Sequence, residues 1–195
     1  MNDKIKTAII ISGFGSNMES IINYSLHDNA NFEVVLVISN NPNALGLKKA
    51  EDKNIKNITI NHKDYSSREK FEDEIHKELI NNDCQLVCLA GFMRVLTKGF
   101  TDKWSEKMIN IHPSLLPKYK GMDAIKQAFD ANDKESGCTV HFVNEAVDAG
   151  QIIAQRRVEI LKNDNLPDVR KKVLKEELDV FPSSIDYIAK KMRNK

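Results

Sequence analysis

The feature that most constrains this chain is an alternation of short apolar runs with segments of helical periodicity along residues 5–90. Ile5 to Ile11 reads as a buried strand, Ser16 to His27 as a helix, Glu33 to Ile38 as a strand, Ala44 to Lys53 as a helix and Ile58 to Ile60 as a short strand. Ser67 can cap a further helix in which Phe71, Ile75 and Leu79 recur every four residues on one face. Gln85 to Ala90 then returns as a strand bounded by Gly91. This βαβαβ succession predicts the α/β class: a doubly wound, mostly parallel sheet with helices on both faces and a Rossmann-like amino-terminal half.

Beyond that point Met108 to Ile111 reads as a strand, Asp123 to Ala131 as a helix, and Cys138 to Val143 and Gln151 to Ile160 as two strands joined by a hairpin or long loop. A last helix is expected from about Pro167 toward Met192, with Pro182 kinking or breaking it because the ring removes one backbone hydrogen bond. No repeat or Gly/Ser/Pro-rich linker divides the chain, and its 195 residues suit a single domain, 1–195.

Composition excludes several function classes. Twenty-nine basic residues against 28 acidic ones leave a formal charge of +1, so no global field holds nucleic acid, and an anion must be bound locally. The apolar run near the amino terminus is too short to span a bilayer and carries no cleavage site, which predicts a cytoplasmic protein without a membrane partner. Cys84 and Cys88 lie in an apolar strand pattern without metal-binding spacing, so the three cysteines are expected as buried, reduced thiols.

In a sheet of this kind ligands bind beyond the carboxyl ends of the strands, which directs attention to the loops after Ile11, Ala90 and Ile111. The first, Ser12-Gly13-Phe14-Gly15-Ser16-Asn17, joins a strand to a helix, and its glycines let backbone N–H groups approach an anion at the helix amino terminus. A dinucleotide fingerprint would need a third glycine where Met18 stands and an acidic residue where Ser39-Asn40-Asn41 stands, so the loop suits a phosphate monoester better than NAD. In Asn110-Ile111-His112, strand alternation puts the Asn and His side chains on one face, able to converge on a single substrate atom. Pro113, Pro117 and Gly121 punctuate the following loop, and Asp148 is a candidate to orient or charge the imidazole. Ser114 lacks the elbow that would make it a nucleophile, and His112, His141 and Asp148 lack compact zinc-ligand spacing, so neither a covalent intermediate nor a metal is expected.

The segments ISGFGSNMESII, LAGFMRVL, INIHPSLLPKYKG and CTVHFVNEAVDAGQIIAQ together resemble the folate-dependent phosphoribosylglycinamide formyltransferase family, over nearly the whole chain. The resemblance implies the formyltransferase fold, with a phosphate-binding half at about 1–90 and a folate and catalytic half at about 91–195. It implies 10-formyltetrahydrofolate as co-substrate and phosphoribosylglycinamide as acceptor, in a monomer or homodimer. By resemblance, Gly15, Ser16 and Asn17 hold the acceptor phosphate and Glu177 contacts the glycinamide. Arg68 with Met93, Arg94, Val95 and Leu96 lines the folate site. Asn110 lies against the formyl group, His112 transfers protons, Asp148 raises the basicity of that histidine, and Pro113 and His141 border the ribose phosphate. Phe14 and Met122-Asp123-Ala124 depart from the family's usual residues. 10-Formyltetrahydrofolate hydrolase and methionyl-tRNA formyltransferase share the chemistry, but carry an amino-terminal and a carboxyl-terminal extension respectively, which are not expected here. A folate- or phosphate-binding homologue without catalysis is the reading from another class, and the triad Asn110, His112 and Asp148 argues against it.

Overall fold

The computed structural model describes residues 4–194. A seven-stranded sheet runs in the order β3-β2-β1-β4-β5-β6-β7. Its strands are β1 (Ile5–Ile11), β2 (Phe32–Ser39), β3 (Asn57–Thr59), β4 (Leu86–Leu89), β5 (Met108–His112), β6 (Glu135–Phe142) and β7 (Ile152–Glu159). The first five are parallel, whereas β6 and β7 are antiparallel additions. The helices are α1 (Ser16–Ser25), α2 (Leu45–Asp52), α3 (Arg68–Asn81), α4 (Lys98–Lys103), α5 (Ala124–Asp130) and α6 (Leu166–Arg193).

Residues alternate across β1, and each parity feeds a different core. Ile5, Ile9 and Ile11 join Met18 and Ile21 of α1, Ala50 of α2, Phe129 of α5 and Val173, Phe181 and Ile185 of α6 on one face. Ala8 and Ile10 join Phe71, Ile75 and Leu79 of α3 and Phe100 of α4 on the other. Both faces of the parallel strands are therefore covered, which is why those strands read as continuous apolar runs. The second core reaches along the sheet only as far as Met108 and Val143, leaving the same face of β5 and β6 beyond it free for polar groups. The three cysteines are buried and unpaired.

Two differences from the sequence reading have physical reasons. The short helix α4 and the 3-10 turn at His62–Asp64 were not anticipated, since neither is long enough to show a helical period. More informative is Pro182, which was expected to break the last helix: α6 is a single helix of 28 residues. Pro182 lacks the N–H that would bond the Leu178 carbonyl, and the Ser20 hydroxyl of α1 donates to that carbonyl instead. The Ser184 hydroxyl, 2.6 Å from the Val180 carbonyl, reinforces the next turn. Asn31 ties the far end of the helix down, its backbone N–H and side-chain amide donating to the Asp186 carboxylate at 2.6 and 2.9 Å. Proline is thus accommodated because the freed acceptor is used to dock α1 on α6.

The exchange predicts a coupling measurable by urea denaturation. Ser20→Ala should cost about 1–2 kcal/mol through the orphaned carbonyl. In a Pro182→Ala background, where residue 182 supplies its own N–H, the same Ser20→Ala change should cost less than half as much; equal costs in both backgrounds would show that the freed carbonyl does not matter.

Candidate active site at the strand ends

The strand order places the switch of winding direction between β1 and β4, and their loops meet there. The Ser12 hydroxyl donates to Asn40 Oδ1 (2.6 Å) and accepts the Met93 N–H (2.8 Å), joining the ends of β1, β2 and β4. The second-strand position that a dinucleotide site would fill with an acid is thereby occupied by a structural amide. Gly15 caps α1 with φ of 77° and no side-chain hydrogen bond, so the first-turn N–H groups of Ser16 and Asn17 have no capping oxygen. A Cβ on Gly15 would lie 2.9 Å from the Gly46 Cα, so two loops pack through their glycines. Asn17 donates its side-chain amide to Glu177 Oε2 at 2.9 Å, bringing two expected acceptor-binding residues together from opposite ends of the chain.

The second cluster lies on the uncovered face of β5 and β6. Antiparallel register sets Asn110 opposite His141 and His112 opposite Thr139. The loop between β6 and β7 folds back so that Asp148 Oδ2 lies 3.2 Å from His112 Nδ1 and Oδ1 lies 3.6 Å from His141 Nε2. Gly150 makes the return possible, because a Cβ there would sit 1.7 Å from the Phe142 carbonyl oxygen. Burial alone would raise the Asp148 carboxyl, but His141, the Gly121 N–H and the charge of His112 outweigh it and hold Asp148 below its ordinary range. Gly121 donates to Oδ2 at 2.9 Å.

His112 faces a second acceptor, the Tyr119 carbonyl, 2.8 Å from Nε2. Both ring nitrogens thus address oxygens, an arrangement that a doubly protonated imidazole satisfies completely. His141 Nδ1 faces the Phe142 carbonyl at 2.8 Å, and its Nε2 lies between Asn110 Nδ2 at 3.2 Å and Asp148 Oδ1 at 3.6 Å. The Asn110 amide has a second N–H, and Asn110 is only partly buried.

His141 therefore belongs with Asn110 and Asp148. The resemblance implied that it borders the ribose phosphate; its protein neighbours follow from cross-strand register, which cannot be read from one sequence. Ser114 is buried, its hydroxyl donates to the Lys118 carbonyl at 2.7 Å, and its carbonyl accepts from Thr139, so it shapes the loop. Met93, Arg94 and Val95 are exposed after β4, whereas the Leu96 side chain is buried in the second core and offers a ligand only its backbone. The Met93 N–H is already taken by Ser12. Arg68 is exposed at the start of α3. The sequence reading gave no positioning role to Ser12, Asn40 or Tyr119, whose hydrogen bonds join the loop ends and hold His112.

Known proteins resemble this chain over most of its length. The formyl transferase family matches residues 5–185. The chain is 44% identical over 188 residues to the trifunctional purine biosynthetic protein adenosine-3 of Chironomus tentans, covering 95% of this chain but 14% of that protein. It is 37% identical to the phosphoribosylglycinamide formyltransferase of Bacillus subtilis, covering 94% of each. The crystal structure of the phosphoribosylglycinamide formyltransferase of Brucella melitensis superposes with a TM-score of 0.92 at 38% identity, over 96% of both chains.

Glu177 supplies a pH test. Burial pushes its carboxyl up to about 7 against the lowering effect of the Asn17 hydrogen bond. The unfolded chain ionises this group near 4.5, so between pH 4.5 and 7 the folded state holds a proton that the unfolded state lacks. Its contribution to stability therefore falls as pH rises through that window and levels off above it. Glu177→Gln cannot ionise and should gain on wild type by on the order of 2–3 kcal/mol between pH 4.5 and 8 in urea titrations. Parallel profiles for the two proteins would refute the buried-carboxyl account.

Proposed function

Since the chain belongs to the formyl transferase family, we propose that it transfers the formyl group of 10-formyltetrahydrofolate to the amine of phosphoribosylglycinamide, giving N-formyl-phosphoribosylglycinamide and tetrahydrofolate in purine synthesis in the cytoplasm. The observation that carries this reading is the convergence of Asn110, His112 and Asp148, with Asp148 Oδ2 at 3.2 Å from His112 Nδ1.

The acceptor amine attacks the formyl carbon, and the carbonyl oxygen becomes negative as a tetrahedral species forms. Preorganised donors must already point at that oxygen, and each is worth roughly 3 kcal/mol in comparable sites. Asn110 supplies the N–H that His141 leaves free. His112 supplies a cationic N–H once the substrate oxygen replaces the Tyr119 carbonyl at Nε2. Asp148, at Nδ1, keeps the ring oriented. The proton lost by the amine then passes to the departing folate nitrogen by way of His112 or water.

The acceptor's phosphate is assigned to the N–H groups of Gly15, Ser16 and Asn17, where the uncapped helix terminus favours an anion. Glu177, beside Asn17, is assigned to the glycinamide end. The folate heterocycle is assigned to the Met93–Leu96 backbone, and Arg68 to the folate's carboxylate tail, an exposed pairing worth about 1 kcal/mol or less.

A formyl-transfer assay offering phosphoribosylglycinamide, water and methionyl-tRNA as acceptors should show turnover with the first alone; preference for either other acceptor would overturn the assignment. Asn110→Ala should lower kcat on the order of a hundredfold or more, and His112→Ala at least as much. Asp148→Asn should lower it too, yet the His112→Ala/Asp148→Asn double variant should be little worse than His112→Ala, because the two act as a unit. Additive losses with normal binding of both substrates would separate Asp148 from His112.

A further inference from the structure

Glu72 is the most buried carboxylate outside the candidate site, 2% exposed, and the ion pairs among the described residues give it no cation. An isolated buried charge is expensive unless hydrogen-bonded, so the donors it has found are informative. Both oxygens are spent on one residue: Oε1 accepts the Thr97 N–H at 2.9 Å, and Oε2 accepts the Thr97 hydroxyl. Thr97 in turn caps α4, its Oγ1 accepting the Phe100 N–H at 3.3 Å. It is also the last residue of the irregular segment that joins β4 to α4.

That segment is therefore held at two points. Ser12 takes the Met93 N–H at one end, and Glu72 fixes Thr97 at the other. Between them Met93, Arg94 and Val95 project to the surface. Glu72 lies four residues after Arg68 on α3, so the two share a helix face. One carboxylate thus locks the helix that carries Arg68 to the loop that carries residues 93–96.

We propose that Glu72 is a positioning residue for the folate co-substrate, holding the Met93–Leu96 backbone and Arg68 in the spacing that one ligand must meet at both its ends. The proposal rests on the reading of those residues as the folate site. Mere support of the fold would need only a side chain of matching shape, whereas a charge with both oxygens aimed at one loop residue fixes position as well.

The test uses Thr97→Val, which keeps the shape and deletes the hydroxyl, Thr97→Ser, which restores it, and Glu72→Gln. Steady-state kinetics with each substrate varied in turn, together with thermal melts, are compared with Arg68→Ala and Val95→Asp as markers of the folate site itself. Thr97→Val and Glu72→Gln should raise the KM for 10-formyltetrahydrofolate about tenfold, as expected for loss of a hydrogen bond to a charged group. The acceptor's KM and kcat should stay within about twofold by the same measure of specificity, and Thr97→Ser should behave as wild type. Normal folate KM in Thr97→Val and Glu72→Gln, with Val95→Asp impaired, would overturn the positioning role while leaving the folate site in place. If Val95→Asp and Arg68→Ala also bind folate normally, the reading of the site itself has failed. A rise in both KM values in step with a lowered melting temperature would overturn the proposal in favour of a purely structural role.

Discussion

Everything in this molecule depends on β1 lying in the middle of the sheet, with β2 on one side and β4 on the other. A parallel strand in that position is buried on both faces and must exchange all its backbone hydrogen bonds with two neighbours. The chain therefore departs from its carboxyl end beside the departure from β4, and two loops that are remote in sequence are forced together. Ser12 makes use of this closeness, sharing one hydroxyl between Asn40 and Met93. The crevice arises from the winding of the sheet, and its residues are only as well placed as these few bonds allow.

Three carboxylates, Glu72 and Glu177 buried and Asp148 half-buried, show how the local set of donors decides what a charge can do. Asp148 collects a backbone N–H and two imidazoles and is held below its ordinary range despite its burial. Glu177 has one amide donor, and burial wins, pushing it up to about 7. Glu72 is buried as deeply but takes both donors of Thr97. The same functional group is thus prepared as a fixed anion beside two histidines, as a proton holder near neutrality, and as an anchor. None of these states follows from residue type.

The antiparallel pair β5–β6 has a different importance. The helical layers cover the parallel strands on both faces, but the second core ends at Met108 and Val143. Past that limit the sheet face carries Asn110, His112 and His141, roofed by loops, which can supply carbonyls, N–H groups and Asp148 where a helix would supply an apolar stripe. The polar cluster is tolerated because every member has a partner, and the loop after β5, which provides the Tyr119 carbonyl and the Gly121 N–H, is pinned at Leu116 by Thr139 and Gln155.

By itself the sequence determined the class of fold, since apolar runs and helical periods alternate along it, and each period records how many faces of an element are buried. It also determined the glycine turn before α1 and the pairing of Asn110 with His112 on one face, because both follow from spacing within one element. Tertiary structure alone decided the rest. That His141 stands beside Asn110 depends on strand register, and that Asp148 returns to both histidines depends on the path of a loop with no period. That Glu72 holds Thr97 depends on how α3 packs against α4. Pro182 carries the same lesson in reverse: its local effect, the loss of one N–H, was legible, but whether that loss breaks the helix depended on Ser20, a residue on another helix 162 positions earlier in the numbering of the chain. Local chemistry is written in neighbouring letters, whereas the partner that satisfies a buried polar group comes from wherever the fold brings it.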